Sequence, residues 1–261
     1  MSNTVKELLE TAKQSGDISR QSIQALVKVE DAGAQIQAAL GIKVDDVMAS
    51  EVVLVTLLID DSGSIRFVSG NSQAVRDGHN LILEALKGSK QDDSVLIHTR
   101  YLNGALLYPY CPIKEAIVMD SQNYDPQGGT PLYDQSMVIL GTVLTKTQEF
   151  MDNNVPVRSI TLIVTDGNDE GSLKATAKDV ASVVADLLRS ERHIVAAMGV
   201  EDGHTDFTQI FKEMGIPDNW ILTPGKTPSE IRKAFQVFSK SAVRASQSAK
   251  FSQTAMGGFG Q

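Results

Sequence analysis

The most strongly patterned stretch of the chain is Val52-Val53-Leu54-Val55-Thr56-Leu57-Leu58-Ile59, a short, almost unbroken apolar and β-branched run. Such a run reads as a strand buried on both faces, as in the middle of a parallel sheet. Residues 159–165 and 193–199 repeat the pattern, and a short strand is predicted near 220–222. Helical spacing of apolar residues falls between them: 72–87, 132–151 opened by Pro131, 172–190, and a short helix at 206–214. Residues 94–100 and 105–110 flank Asn103-Gly104, the strongest short hairpin signal. Strands alternating with helices predict right-handed crossovers and helices on both sheet faces. The expected class is therefore α/β: a doubly wound, mostly parallel six-stranded sheet with one antiparallel edge strand.

Both ends read differently. Residues 1–48 form a predicted helical N-terminal extension. Thr4 and Glu7 are spaced as a capping box, Asp17 opens a second candidate helix with Ile18, Ile23, Leu26 and Val27 on one face, and a third spans 32–40 and stops at Gly41. Thr227-Pro228-Ser229-Glu230 is another capping box. It opens an amphipathic, basic C-terminal helix over 226–250 whose Ile231, Ala234, Phe235, Phe238, Ala242 and Ala245 form one stripe. Residues 251–261, which include Phe251 and Phe259, read as a flexible tail. The main domain is expected over 49–225.

The polar residues that follow the apolar runs carry the chemistry. Asp60-Asp61-Ser62-Gly63-Ser64 leaves the first strand, and residues two apart on an extended segment project to one side. Asp60, Ser62 and Ser64 therefore converge, while Asp61 faces elsewhere. Gln127-Gly128-Gly129-Thr130-Pro131-Leu132 offers a hydroxyl at Thr130, and the strand ending at Thr165 is followed by Asp166-Gly167. Ligands of open α/β sheets collect at the carboxyl ends of such strands. Carboxylates and hydroxyls are oxygen donors suited to a hard divalent cation.

D-x-S-x-S after a first strand, G-G-T-P-L near mid-chain and T-D-G after a later strand resemble the metal-ion-dependent adhesion site of a von Willebrand factor A (VWA) domain, over roughly residues 49–220. The resemblance implies that Asp60, Ser62, Ser64, Thr130 and Asp166 hold a divalent cation, Mg²⁺ first and Mn²⁺ or Ca²⁺ as alternatives. It implies a non-enzymatic protein–protein interaction module in which a partner's Asp or Glu carboxylate completes the coordination sphere. Intracellular bacterial relatives of this kind work with MoxR-type AAA+ ATPases or in stress-resistance systems, so an adaptor or assembly role is expected. A metal-dependent hydrolase or phosphatase, or a structural subunit with a metal-stabilised loop, remains the alternative. Replacing Asp60 or Asp166 by Ala is expected to remove metal binding and leave the fold intact.

Composition narrows this further. The net charge of -8 argues against a nucleic-acid partner. The cations gather at the end: from Lys226 onward six face a single acid, Glu230, a local +5. Cys111 is the one cysteine, so an intramolecular disulfide framework is excluded, and it reads as a half-buried hydrophobe on an edge strand. No run approaches the roughly 20 apolar residues of a membrane span, and Met1 to Glu7 lack a basic-then-apolar leader, so a soluble cytoplasmic protein is expected.

His79, His98, His193 and His204 show no metal-ligand spacing and read as surface or hydrogen-bonded structural residues. Asp166-Gly167-Asn168-Asp169-Glu170-Gly171 begins like a calcium loop, but Ala177 stands where the bidentate Glu is required. A phosphatase-type Asp nucleophile at Asp60 would need a second Asp two residues on, where Ser62 stands. No G-x-S-x-G elbow is present.

Overall fold

The computed structural model describes residues 3–90, 92–248 and 256–259. Eight α-helices and six strands are found among them: α1 Asn3–Gln14, α2 Arg20–Lys28, α3 Ala32–Ala39, β1 Val52–Ile59, α4 Asn71–Lys87, β2 Val95–Tyr101, β3 Leu106–Pro112, α5 Leu132–Met151, β4 Val157–Thr165, α6 Ala177–Arg189, β5 His193–Gly199, α7 Phe207–Glu213, β6 Ile221–Leu222 and α8 Pro228–Gln247. The sheet order is β3-β2-β1-β4-β5-β6, with only the β2–β3 pair antiparallel. This is the α/β class expected from the sequence. Every residue of β1 is buried, as its apolar run requires of a strand parallel to neighbours on both sides.

The order dictates the layers. The step from β1 through α4 to β2 runs one way across the sheet, and the step from β4 through α6 to β5 runs the other. Right-handed crossovers therefore place α4 and α6 on opposite faces. On one face α8 packs along α4, with the Phe235 ring seated over Gly78, where any added Cβ would lie 2.2 Å from that ring. On the other face α5 packs on α6, and α1, α2 and α3 lie over both. The extension is thus an outer layer of the domain. Val5, Leu9, Leu26 and Ile36 are its buried anchors, and Gly141 of α5 leaves room for Leu26 and Ile36. Gly41 takes φ +60° where the chain leaves this layer, with its backbone pressed against the Tyr110 carbonyl.

Polar ties lock the layer in place. Arg100 of β2 donates to the side chain and the backbone carbonyl of Gln35 at 2.7 and 2.9 Å. Asp186 of α6 accepts from the Ser19 N–H at 2.7 Å and the Ser22 hydroxyl at 2.6 Å.

Several expectations are corrected. Thr4 does not cap α1, because the helix already includes Asn3. Asp17 does not open α2: Ser19 is its N-cap and Asp17 pairs with Arg192. The helix expected from 172 starts at Ala177, with a full capping box at Thr176 and Asp179. Residues 173–175 stay out of it because their N–H groups are taken by the Asp134 carboxylate at the start of α5. The flexible tail is also overturned in its described part. Met256 is buried, the Phe259 ring meets Trp220 edge-on at 5.1 Å, and Arg244 donates to the carbonyls of Met256 and Gly258. Two apolar side chains with a cleft to fill outweigh the entropy of a Gly-rich segment. Residues 251–255, 260 and 261 of the expected tail, and 249 and 250 of the expected C-terminal helix, lie outside the described residues.

Candidate metal centre

β1 and β4 run parallel side by side, and their carboxyl ends bring Asp60 and Asp166 together. Asp60 is fully buried. Its Oδ1 accepts from the Ser62 N–H at 2.7 Å, and its Oδ2 accepts from the Thr165 hydroxyl at 2.7 Å and the Asp166 N–H at 3.2 Å. The Tyr124 hydroxyl donates to the Asp60 carbonyl at 2.6 Å. Asp60 is therefore the peg on which both loops hang. The expectation that Asp60→Ala leaves the fold intact runs against this geometry, because it would strand the buried Ser62 and Asp166 N–H groups, while the Thr165 hydroxyl keeps the Gly167 carbonyl as an acceptor.

Ser62, Ser64 and Asp166 form a tight oxygen triangle. The Ser64 hydroxyl donates to Asp166 Oδ1 at 2.7 Å, Ser62 Oγ lies 3.2 Å from the same oxygen, and the two serine oxygens are 2.8 Å apart. Thr130 reaches the rim on a third loop. Gly128 pairs with the first loop through Gly128 N–H to Asp61 O at 2.9 Å and Gly63 N–H to Gly128 O at 3.1 Å. The Thr130 carbonyl accepts from Glu170 N–H at 3.0 Å, and its Oγ1 stands 4.0 Å from where a Cβ on Gly167 would lie. All five sequence-derived residues thus come to one edge of the sheet, four of them joined by hydrogen bonds and Thr130 set beside them.

Charge is uncompensated here. Burial, then the Asp60 charge, push the Asp166 carboxyl up to about 6, and the Ser64 and Ser62 hydroxyls offset this only in part. Asp61 is pushed up to about 6 by burial and also by Asp60, against the Asn103 N–H that it accepts at 3.0 Å. Among the described residues no ion pair joins Asp60, Asp61 or Asp166 to a basic side chain. A divalent cation fits this donor set. Adjacent ligands of an octahedron with roughly 2.1 Å bonds are about 3.0 Å apart, close to the spacing of the triangle. Among the described residues no group of three or more His, Cys, Asp or Glu is placed to hold a metal.

Three supporting residues lie outside the five sequence-derived donors. Thr165 precedes Asp166 in the same motif, and its hydroxyl supports Asp60. Tyr124, held unionised by burial and then by the Asp60, Asp61 and Asp166 charges, carries no local sign of its role. Asp61 faces away from the triangle, as its place in the alternation predicts, and ties the site to the β2–β3 hairpin. The calcium-like loop serves as structure: Asp169 accepts from Tyr133 N–H at 3.1 Å and the Ser172 hydroxyl at 2.5 Å. His79, His98 and His193 are buried, and burial lowers them to about 4, 3 and 3, whereas His204 is exposed. Cys111 is half-buried on edge strand β3, and burial raises its thiol to about 11. No helix among the described residues is long and apolar enough to cross a membrane.

No protein-family model and no curated protein matches the sequence. Solved structures do. The pilus adhesin SpaC from Lactobacillus rhamnosus GG, in an open conformation, superposes on 74% of this chain and 30% of its own, at 13% identity and a TM-score of 0.54. Proximal thread matrix protein 1 from the mussel byssus, with a zinc-occupied MIDAS motif, superposes on 74% of this chain and 46% of its own, at 16% identity and a TM-score of 0.51. The chain therefore spans less than half the length of either. Its sheet order, its single antiparallel edge and these superpositions make it a protein of the von Willebrand factor A fold.

Proposed function

We propose that the chain is a metal-dependent interaction module that binds a divalent cation through Asp60, Ser62, Ser64, Thr130 and Asp166 and uses it to capture a carboxylate of a protein partner. The observation that carries this reading is the Ser62–Ser64–Asp166 oxygen triangle beside a buried, uncompensated carboxylate pair. The bound ion supplies a Lewis-acidic centre that retains positive charge, because three of its five protein ligands are neutral hydroxyls. Asp60 anchors the two strand-end loops, Ser62 and Ser64 orient their oxygens against Asp166, and Thr130 closes the rim from the third loop. Mg²⁺ is the ion we favour, since hard oxygen donors without His or Cys suit it.

The finer proposal is an adaptor or assembly role in a cytosolic complex, with a MoxR-type AAA+ ATPase as the partner class. Support for it comes from the sequence resemblance alone. Titration calorimetry tests the ion: Asp166→Ala should weaken Mg²⁺ binding by at least about a hundredfold. Unchanged affinity would remove this site from the reading. Partner capture from source cells should then vanish in EDTA; equal recovery with and without chelator would favour a purely structural metal.

A further inference from the structure

A cleft of about 470 Å³ opens beside the triangle, bordered on the metal side by Ser64, Thr130 and Asp166. Its apolar lining is Phe67, 87% exposed, with Val68 and Val200. Glu170, Glu201 and Asp202, all exposed, line it too, along with Lys226 and the exposed His204. Asn71 lines the same cleft and is only 3% exposed, and its Oδ1 has no hydrogen-bond partner. A buried acceptor left unpaired costs on the order of 1–3 kcal/mol, so it marks a place where a donor is expected.

An exposed phenylalanine, two valines, an excess of carboxylates and an unpaired amide oxygen ask for one kind of side chain. It must be long, apolar along its stem, cationic at its head and rich in N–H donors. We propose that the partner segment whose carboxylate docks on the cation also carries an arginine that enters this cleft. The stem lies along Phe67, Val68 and Val200. The guanidinium stands among Glu170, Glu201 and Asp202 and, once the Asn71 amide turns toward the cleft, donates to its Oδ1. Asp202 is already held by the Thr205 hydroxyl at 2.6 Å, so Glu170 and Glu201 are the freer acceptors. Lys226 opposes the arginine and limits its gain. The inference rests on the metal-docking reading and adds to it the residue type beside the carboxylate.

The test is calorimetry of the full chain in saturating Mg²⁺. The ligands are short capped peptides with one aspartate and one arginine at varied spacing, compared with the same peptides bearing the neutral isostere citrulline. The best arginine peptide should bind about fivefold more tightly than its citrulline twin. That advantage should disappear in Glu170→Gln/Glu201→Gln and grow in Lys226→Gln, with Mg²⁺ affinity unchanged in both. Equal binding of the twins to the wild type, or an advantage that survives the double substitution, overturns the arginine proposal while metal docking stands. If neither panel binds, or binding persists in EDTA, the metal-docking reading falls and the proposal falls with it.

Discussion

Asp166 and Asp186 are both buried carboxylates, yet the molecule treats them in opposite ways. Asp186, under the outer helical layer, meets the Ser19 N–H, the Ser22 hydroxyl and the Arg189 guanidinium at 2.8 Å. Burial alone would raise its carboxyl, but these partners outweigh burial and hold it below the usual 3.8. Asp166 has two hydroxyl donors, no cation and a second carboxylate beside it, and is held well above that value. A buried charge is stable only when it is paired and hydrogen-bonded. Asp186 finds its partners at the start of α2 and in α6, whereas Asp166, among the described residues, meets no basic side chain. That asymmetry is what the proposed metal reading would explain.

Four experiments can break or sharpen this contrast. The largest effect should come from deleting residues 1–48. Helix α5, buried on nearly all sides, would lose the cover of Val5, Leu9, Leu26 and Ile36, so the truncated chain should aggregate. A soluble truncation with an unchanged urea midpoint would show that the layer is an accessory. Next, Asp186→Ala should cost about 2–4 kcal/mol in urea unfolding, since it strands buried donors and breaks the pairing with Arg189.

Asp166→Asn should act in the other direction. In EDTA its melting temperature should equal or exceed that of the wild type, and added Mg²⁺, which should raise the wild-type value through ligand linkage, should not move it. A marked loss of metal-free stability would mean that Asp166, like Asp186, is structural. The smallest effect is in pH. The folded-state pKa of Asp186 is depressed, so its contribution is fully present above the unfolded value of 3.8 and is lost as pH falls through the folded value. Acid titration should therefore destabilise the wild type more than Asp186→Asn below pH 3.8; parallel curves would show that this carboxylate is not paired in solution.

Much of the site was legible because its parts are short. D-x-S-x-S, G-G-T-P and T-D-G each mark the end of an element, and parallel pairing of β1 with β4 does the rest by aligning two strand ends. Two of the corrected helix starts share a cause. Local sequence starts helices at Asp17 and Ser172, but the competing partners come from distant parts of the chain: Arg192 for Asp17, and Asp134 for residues 173–175. Phe259 reads as mobile beside its glycines, and Trp220, against which its ring packs, is reached only through the fold.

The sequence by itself determined the buried strands, their alternation with helices, the antiparallel hairpin and the placing of five candidate oxygen donors just after element ends, because periodicity and turn chemistry act between neighbours. Tertiary structure alone decided that Asp60 is an anchor held from Thr165 and Tyr124, 105 and 64 residues away, and that Asp186 is satisfied by Ser22 from 164 residues away. Which carboxylate finds a charged partner and which is left without one depends on contacts that exist only once the chain has closed on itself.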